Sequence, residues 1–593
     1  MANFTVGDEE GATEQFSKLP RRDRLVDIDG ISLSIPDEVP LTTVELDFLQ
    51  RLLQVISNSN DNLEMVYQIL HENSDKLDTS STDSLREYAE NFIRIEELEQ
   101  ARAIAKNITT LSYILLQFPL GSRANNLEIA ITGYEITLEV YARKAFPQDW
   151  AKTQNDLGIA YRNRIKGDKA NNIEVAISAF LAALEVYTRE AFPQQWVGIQ
   201  NNLGNAYSDR IRGSKAKNLE AAISAFRAAL SVSTREAFPQ QWASIQNNLG
   251  NAYLDRIRGD KAENLEAAIS AYQAALSIST REAFPQDWAE TINNLGFAYK
   301  NRIRGNKAEN IETAISAFQD ALEVYTREAF PQDWAETINN LGLAYKDRIL
   351  GEKAENIETA ISAFQDALEV YTREAFPQDW AETINNLGLA YKDRILGEKA
   401  ENIEDAISAL RSALEVYTRE AFPQDWAAVQ KNLGTAYSNR IRGERAENVE
   451  IAIGCFLGSL EVYTHEAFPQ NYLETLFDLG LAYQSNQQFR DAYNTLAKAI
   501  ETLESVQGAI LPSFSKNIYQ SMVKSCLKLG YTDKAVEYVE RSKAHSLVKL
   551  FTNYNLYPKG NIPDSVLNEL KHLRLEISRE QLRLEAKNKH GKR

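Results

Sequence analysis

Cysteine and histidine are the side chains best suited to nucleophilic catalysis or metal binding, and this sequence of 593 residues holds few of them. Cys455 and Cys526 both fall inside helical patterns, where we interpret them as small core residues. Two thiols cannot form a disulfide framework, which favours a reducing, cytoplasmic compartment. The histidines never stand at metal-ligand spacing, so we expect no metal site. They are His71, His465, His545, His572 and His590.

Other kinds of enzyme chemistry also lack candidate residues. The recurrent glycines are spaced for helix contacts and helix ends, unlike a loop that cradles a phosphate. Acidic residues recur at matching places along the chain, whereas a catalytic carboxylate pair would be singular. We therefore expect a non-enzymatic protein without a cofactor. The net charge of −18 argues against a nucleic-acid partner, and no apolar stretch is long enough to span a membrane.

Asparagine is the polar residue whose spacing stands out, because two columns of it recur every 46 residues. Amide side chains offer both donors and acceptors, which suits binding to an extended peptide backbone. The first column, here called the ladder, consists of Asn155, Asn201, Asn247, Asn293, Asn339 and Asn385, followed by Lys431 and Phe477. The second, here called the shoulder, consists of Asn202, Asn248, Asn294, Asn340, Asn386 and Asn432. We expect the ladder to bind a partner; the shoulder either joins it or hydrogen-bonds to the adjacent helix.

A repeat of 46 residues must position these columns, and its clearest marker is tryptophan. A fixed period of this length indicates an array in which each unit buries its apolar face against its neighbours. Chain length alone suggests about four domains, so the period replaces that expectation with one long array. We interpret the tryptophans as packing residues. They are Trp150, Trp196, Trp242, Trp288, Trp334, Trp380 and Trp426.

One unit, residues 330–375, predicts two helices and no strand. Pro331 fits the first turn of the first helix, and Gly342 lets a second helix approach closely. We expect Gly351 in the left-handed conformation after that helix, and Asn356 as the N-cap of the second. The first helix carries a core-facing stripe of Trp334, Ile338, Leu341, Tyr345 and Ile349. The second is expected to bury Ile357, Ala360, Ile361, Phe364, Ala367, Leu368 and Tyr371.

These residues resemble the tetratricopeptide repeat (TPR) signature. The matching segments are Asn340-Leu341-Gly342-x-Ala344-Tyr345, Ala360-x-x-x-Phe364-x-x-Ala367 and Pro377. The unit departs from the usual repeat of about 34 residues by extra residues between the helices and before the proline. The resemblance implies an all-α, right-handed TPR-type superhelical solenoid, with about ten helical hairpins and a helical N-terminal cap.

A second resemblance concerns the two ends of the array. Residues 118–128 and 531–544 resemble segments of cyanobacterial TPR arrays that typically precede a caspase-like CHAT domain. The residues after Phe551 are too few for such a domain. The resemblance therefore implies a CHAT-associated sensor part whose effector is missing or encoded elsewhere.

Four segments follow from these patterns. We expect a flexible arm over 1–38, a helical N-terminal cap over 39–99, the TPR solenoid over 100–550, and a linker with an amphipathic C-terminal helix over 551–593. The N-terminal helices could instead form a separate interaction domain. The basic helix at 563–587 could bind a membrane surface, although we favour a helix whose packing partner lies elsewhere, including a second copy of the chain.

Comparison of the repeats indicates where a partner binds. Units 284–329 and 330–375 differ at only four positions, and three of these lie on one face of the first helix. A helical wheel places this face opposite Trp334 and exposes it to solvent; in TPR proteins the first helices line the concave groove. The candidate binding residues are Asn201, Asn202, Asn205, Asn247, Asn248, Asn251, Asn293, Asn294, Asn339, Asn340, Leu343, Asp347, Asn385, Asn386 and Lys431.

Charged columns bear on the kind of partner. Residues 192–237 hold six basic and three acidic residues, net +3, whereas residues 330–375 hold four and nine, net −5. Such a gradient could fix the direction of a bound partner. The basic clamp of some TPR domains is not evident, because the corresponding position is lysine only at Lys152 and is glutamate in four copies, Glu290, Glu336, Glu382 and Glu474. An arginine column from Arg164 to Arg440 is expected to form structural ion pairs rather than an anion site.

Three hypotheses for function follow. The first is a protein-binding or peptide-binding TPR scaffold or sensor whose concave groove captures a partner and relays that event to a C-terminal effector. The second is a structural spacer that self-associates through its terminal helices. The third is the regulatory part of a caspase-like protease whose catalytic domain is absent from this chain.

The first hypothesis predicts the effect of replacing Asn293, Asn339 and Asn385 together with alanine. The triple variant should lose capture of a partner in a pull-down while its helicity by circular dichroism stays intact. Unchanged capture would contradict the assignment of the groove.

Overall fold

The computed structural model describes residues 43–58, 64–78, 80–92, 98–505 and 512–553, and the regular structure within these ranges is helical. Before the tryptophan-marked repeats lie α1 (Thr43–Asn58), α2 (Glu64–Glu72), α3 (Ser80–Phe92), α4 (Leu98–Gln117) and α5 (Arg123–Val140), with a short 3-10 helix at Ser74–Lys76. The expected arm over 1–38 and helix over 563–587 lie outside the described residues. No helix in the described ranges is long and apolar enough to cross a membrane.

The repeats are helix pairs, as expected. Their first helices are α6 (Pro147–Asn163), α8 (Pro193–Asp209), α10 (Pro239–Leu254), α12 (Pro285–Asn301), α14 (Pro331–Asp347), α16 (Pro377–Asp393), α18 (Pro423–Ser438) and α20 (Pro469–Ser485). Their second helices are α7 (Lys169–Leu184), α9 (Lys215–Leu230), α11 (Lys261–Leu276), α13 (Lys307–Leu322), α15 (Lys353–Leu368), α17 (Lys399–Leu414), α19 (Arg445–Leu460) and α21 (Phe489–Ser505). A further pair follows, α22 (Pro512–Lys528) and α23 (Thr532–Asn553).

The chain divides into two compact units, residues 1–397 and 398–593. In the first unit, α1, α3, α4 and α5 share a core in which Leu49, Leu52 and Leu53 are almost fully buried. The helical part of the predicted N-terminal cap is therefore present, while its role as a cap stays a prediction. The second unit contains the helix pairs from α18 to α23, with a core around Leu496, Tyr519 and other residues of α20 to α23.

Three details of the predicted unit were wrong. The second helix ends at Leu368, so Tyr371 is buried from the loop that follows and not from the helix. The first helix ends at Asp347, so Ile349 lies beyond it and is 58% exposed instead of continuing the core stripe. The second helix begins at Lys353 with Glu352 as its N-cap residue, so Asn356 lies inside the helix. The Asn356 side chain instead donates a hydrogen bond to the carbonyl of Leu350 and closes the loop between the helices. This loop contains Gly351, whose φ of 79° confirms the expected left-handed conformation.

Within each repeat, the two helices approach closely at a glycine. A Cβ atom at Gly342 would lie 2.8 Å from Cε1 of Phe364, closer than any real Cβ contact allows. The Phe364 ring is fully buried against the glycine. The contact recurs with a phenylalanine or tyrosine ring at Gly158, Gly204, Gly250, Gly296 and Gly434. The predicted close approach at Gly342 is confirmed.

Successive repeats are joined by a bidentate ion pair. Arg348 donates from Nε and Nη2 to the two carboxylate oxygens of Glu312 in the preceding repeat, each at 2.8 Å. A pair of this geometry that is 28% and 32% exposed contributes on the order of 1 kcal/mol. The same fork joins Arg164 to Glu128, Arg210 to Glu174, Arg256 to Glu220, Arg302 to Glu266, Arg394 to Glu358 and Arg440 to Glu404. The expectation of structural ion pairs is confirmed.

The tryptophans pack between repeats on the side of each helix away from the ladder. Trp334 is partly buried against the cluster formed by Ala289, Ala321 and Tyr325 of the preceding repeat. The guanidinium of Arg327 lies over the Trp334 ring, 5.6 Å from its centroid. The prediction that tryptophan is a packing residue is confirmed for this repeat.

The glycine contact predicts opposite effects of alanine at two first-helix glycines. Gly342→Ala should lower the free energy of unfolding by about 1–3 kcal/mol, because the methyl group overlaps the Phe364 ring. Gly198→Ala, with its nearest neighbouring atom at 3.8 Å, should be neutral or stabilise the protein by up to about 1 kcal/mol. Urea unfolding of both variants measures the difference, and equal effects would contradict the packing argument.

Candidate partner-binding site

The ladder asparagines are more buried than the sequence suggested. Asn247, Asn293 and Asn339 are only 6%, 4% and 5% exposed, and Asn201 and Asn385 are partly buried. The expectation of a solvent-exposed ladder is therefore wrong for the three central amides. The first helix of the next repeat covers them, which a helical wheel of a single helix cannot show.

Shoulder and ladder asparagines hydrogen-bond to each other across repeats. Asn340 donates to Oδ1 of Asn293 at 3.3 Å, and Asn386 donates to Oδ1 of Asn339 at 3.2 Å. The same bond joins Asn202 to Asn155, Asn248 to Asn201 and Asn294 to Asn247. Of the two alternatives for the shoulder, bonding to the adjacent helix is the one observed.

Two ladder amides also donate to a carboxylate in the next repeat. Asn247 donates to Glu290 at 2.9 Å, and Asn293 donates to Glu336 at 3.4 Å. Each of these two ladder amides thus accepts a hydrogen bond from one residue of the neighbouring first helix and donates a hydrogen bond to another residue of that helix. Alanine at these positions consequently removes packing interactions between repeats as well as any contact with a partner.

The remaining candidates have separate surroundings. The hydroxyl of Tyr272 donates to Asn251 at 2.6 Å, and Asn205 is partly buried. Leu343 packs against the core around Phe364, while Asp347 is exposed and paired with lysines of its own and the preceding repeat. In the second unit, Lys431 donates to Glu474 at 2.6 Å.

Only some of these candidates meet at a cavity of about 300 Å³ in the first unit. Of the candidate residues, Asn294, Asn339 and Asn340 line it, and the other twelve do not. The full lining is Leu254, Asn294, Phe297, Glu336, Asn339, Asn340, Tyr371, Asp379, Glu382 and Thr383. Four successive first helices, α10, α12, α14 and α16, therefore contribute to one concavity.

Sequence reasoning missed the acidic part of this lining, Glu336, Asp379 and Glu382. The signal was available in the first turn of three successive first helices, which carry an aspartate and, three residues later, a glutamate. The pairs are Asp287 and Glu290, Asp333 and Glu336, and Asp379 and Glu382. The two preceding repeats have Gln195 and Gly198, then Gln241 and Ser244, at the same places. Because acidic residues recur in every repeat, we had expected them to lie on solvated faces. The informative feature was instead the change from uncharged to acidic residues at these two positions along the array.

The carboxyl groups of this region sit in an environment unfavourable to negative charge. Desolvation by the surrounding helices, followed by repulsion from Asp333 and Glu382, raises the pKa of Glu336 to about 7. The hydrogen bond from Asn293 opposes this rise. Desolvation likewise raises the pKa of Asp379 and of Glu290.

One family model and several solved structures are similar to parts of this chain. A family model described as tetratricopeptide repeat matches residues 242–282. No match was found among curated proteins. A Rap protein complexed with competence and sporulation factor is 13% identical, with 72% of this chain and 98% of that chain covered, at a TM-score of 0.39. The Pyrococcus horikoshii STAND protein with a TPR sensor is also 13% identical, with 88% and 74% covered, at a TM-score of 0.37.

The raised pKa of Glu336 predicts a dependence of stability on pH. Between an ordinary value of 4.5 and about 7, the folded protein holds this proton more tightly than the unfolded chain, so stability falls as pH rises. Glu336→Gln keeps an acceptor for Asn293 and should raise the free energy of unfolding near about pH 8, with little effect near about pH 5. The gain should stay below about 1 kcal/mol because water reaches this side chain.

Urea unfolding at the two pH values measures the effect of Glu336→Gln. Glu355→Gln is a matched control, because it removes an exposed carboxylate from a second helix that does not line the cavity. It should leave the pH dependence as in the wild-type protein. An equal effect of Glu336→Gln at both pH values would contradict the raised pKa.

Proposed function

The chain is an array of tetratricopeptide repeats, and from this premise we propose that it binds a protein or peptide partner on the face formed by its first helices. Families of this kind commonly serve as interaction scaffolds, with function carried by a surface instead of a catalytic centre. As a scaffold or sensor, the array relays occupancy of this face to an effector at its C-terminal side.

The observation that carries this proposal is the cavity between successive first helices. It combines buried amides, carboxylates and the rings of Phe297 and Tyr371 in a single concavity. Concave sites with an apolar wall and a few convergent polar groups are the usual places for ligand binding. A volume of about 300 Å³ suits a side chain that projects from an extended peptide lying along the helices.

The two thiols support a non-catalytic role. Burial raises the pKa of Cys455 to about 11, so this thiol is protonated at neutral pH and a poor nucleophile. Cys526 is fully buried, and burial also raises its pKa. In the described parts of the chain, no group of acidic, histidine or cysteine residues is arranged to hold a metal ion.

A substitution in the cavity wall tests the proposed binding face. The repeats starting at 192 and 238 carry Asn205 and Asn251 at the place of Phe297, so the helix pair accommodates asparagine there. Phe297→Asn should weaken binding of short peptides selected on the full chain from a random displayed library by about fivefold or more, or roughly 1 kcal/mol. Fluorescence anisotropy with labelled peptides measures the affinity.

A matched control for Phe297→Asn is Gln319→Ala on the exposed side of the second helix of the same repeat. This variant should bind the selected peptides as the wild-type chain does. If Phe297→Asn binds every selected peptide with wild-type affinity while remaining folded, the partner does not use this face and the proposal fails.

A further inference from the structure

We propose that the cavity takes a lysine or arginine side chain of the partner peptide, held by Glu336, Asp379 and Glu382. This inference rests on the proposed function and adds the chemistry of the partner to it. The cavity would then be the reverse of a basic site that clamps a carboxylate, with anionic groups on the receptor and the cation on the peptide.

In the part of the chain that the structure describes, Glu336 and Asp379 have no basic partner at the cavity. Three carboxyl side chains line it, and the charged groups that act on Glu336 are all acidic: Asp333, Glu382 and Glu290. Within the described residues, no lysine or arginine lies within ion-pair distance of Asp333, Glu336 or Asp379. Carboxylates crowded in this way raise each other's free energy, and a cation entering the cavity would relieve that repulsion.

Three basic residues of the repeats that line the cavity have other partners. The ammonium of Lys300 lies 5.6 Å from the centroid of the Phe297 ring, but it is paired with Asp347 at 3.5 Å. Arg327 pairs with Glu369, and Arg348 forms the fork with Glu312 that joins two repeats. These two arginines therefore serve contacts between repeats, and neither is paired with Glu336 or Asp379.

The fold does not require these carboxylates. The repeats starting at 192 and 238 form the same helix pairs with Gln195 and Gly198, or Gln241 and Ser244, at the equivalent positions. Their glycine–aromatic contact and their arginine–glutamate fork are also preserved. The acidic pairs are therefore a property of three successive repeats of the first unit, added to helix pairs that also form without them.

The other walls of the cavity suit a long basic side chain. The rings of Phe297 and Tyr371 can pack along its methylene groups while the carboxylates receive the charged end. The amides of Asn294 and Asn340 lie at the same cavity and can bond to polar groups of the peptide. Lysine and arginine, with an apolar stem and a cationic tip, match this division.

The test begins with a selected peptide whose binding depends on Phe297, so that the proposed function is already met. Each lysine or arginine of that peptide is replaced in turn by glutamine. One replacement should weaken binding about tenfold or more in low salt near about pH 8, where the carboxyl groups are ionised. If binding of a peptide depends on Phe297 but no replacement of its lysines or arginines weakens binding, the inference is overturned and the proposed function still stands.

A cavity variant isolates the charge. Residues of the repeat starting at 238 are copied into the two later repeats as Asp333→Gln, Glu336→Ser, Asp379→Gln and Glu382→Ser. This variant should bind the parent peptide about tenfold more weakly, yet bind the glutamine-substituted peptide as the wild-type chain does, because the two changes remove the same interaction. Independent effects of the two changes would overturn the inference.

The matched control removes the same number of carboxylates from exposed sites on second helices, away from the cavity. It carries Glu309→Gln, Asp320→Ala, Glu355→Gln and Asp366→Ala. This chain should bind the parent peptide within about twofold of wild type, whereas a loss equal to that of the cavity variant would indicate general electrostatic attraction. Spermidine serves as a free-amine probe, and binding as tight as that of the peptide would assign the cavity to polyamines and overturn the peptide proposal.

Discussion

Close packing of the two helices within each repeat is the constraint on which the rest of the structure depends. Gly342 leaves space for the ring of Phe364, and this brings the second helix against the first. At that distance the same second helices also reach the next repeat, as Phe318 does toward Leu341 and Ala344. The arginine–glutamate forks and the amide hydrogen bonds between repeats then recur at fixed separations along the chain, because each copy presents the same surfaces to its neighbour.

The face formed by the first helices carries asparagines and acidic residues, and the two kinds of residue have different roles. The ladder and shoulder asparagines satisfy one another between repeats, and such buried amides hold neighbouring first helices in register. Acidic residues of the first turn accept hydrogen bonds from two ladder amides, but repeats without these carboxylates form the same helix pairs. The residues that hold the repeats together are thus largely different from those that line the cavity. The lining can therefore differ from repeat to repeat without loss of the fold.

Much of the fold could be predicted from the sequence, because the same local sequence pattern recurs in each helical repeat. The helix pairs, the close approach at Gly342, the left-handed Gly351 and the structural role of the arginine column all follow from residue type and spacing. The helix boundaries were less certain. Asn356 is a good capping residue by type, but its side chain bonds to the Leu350 carbonyl after the loop has placed them together.

The sequence by itself determined the period, the all-helical class and the residues that repeat, since these depend on interactions between positions close along the chain. Only the tertiary structure decided which polar residues face the cavity. Asn293 and Asn339 belong to different repeats, and both are covered by helices that follow much later in the sequence. Burial of a side chain depends on these distant neighbours. These two ladder asparagines, which a single helix would expose, are therefore buried and join the repeats. Three acidic residues of the first turns line the cavity instead.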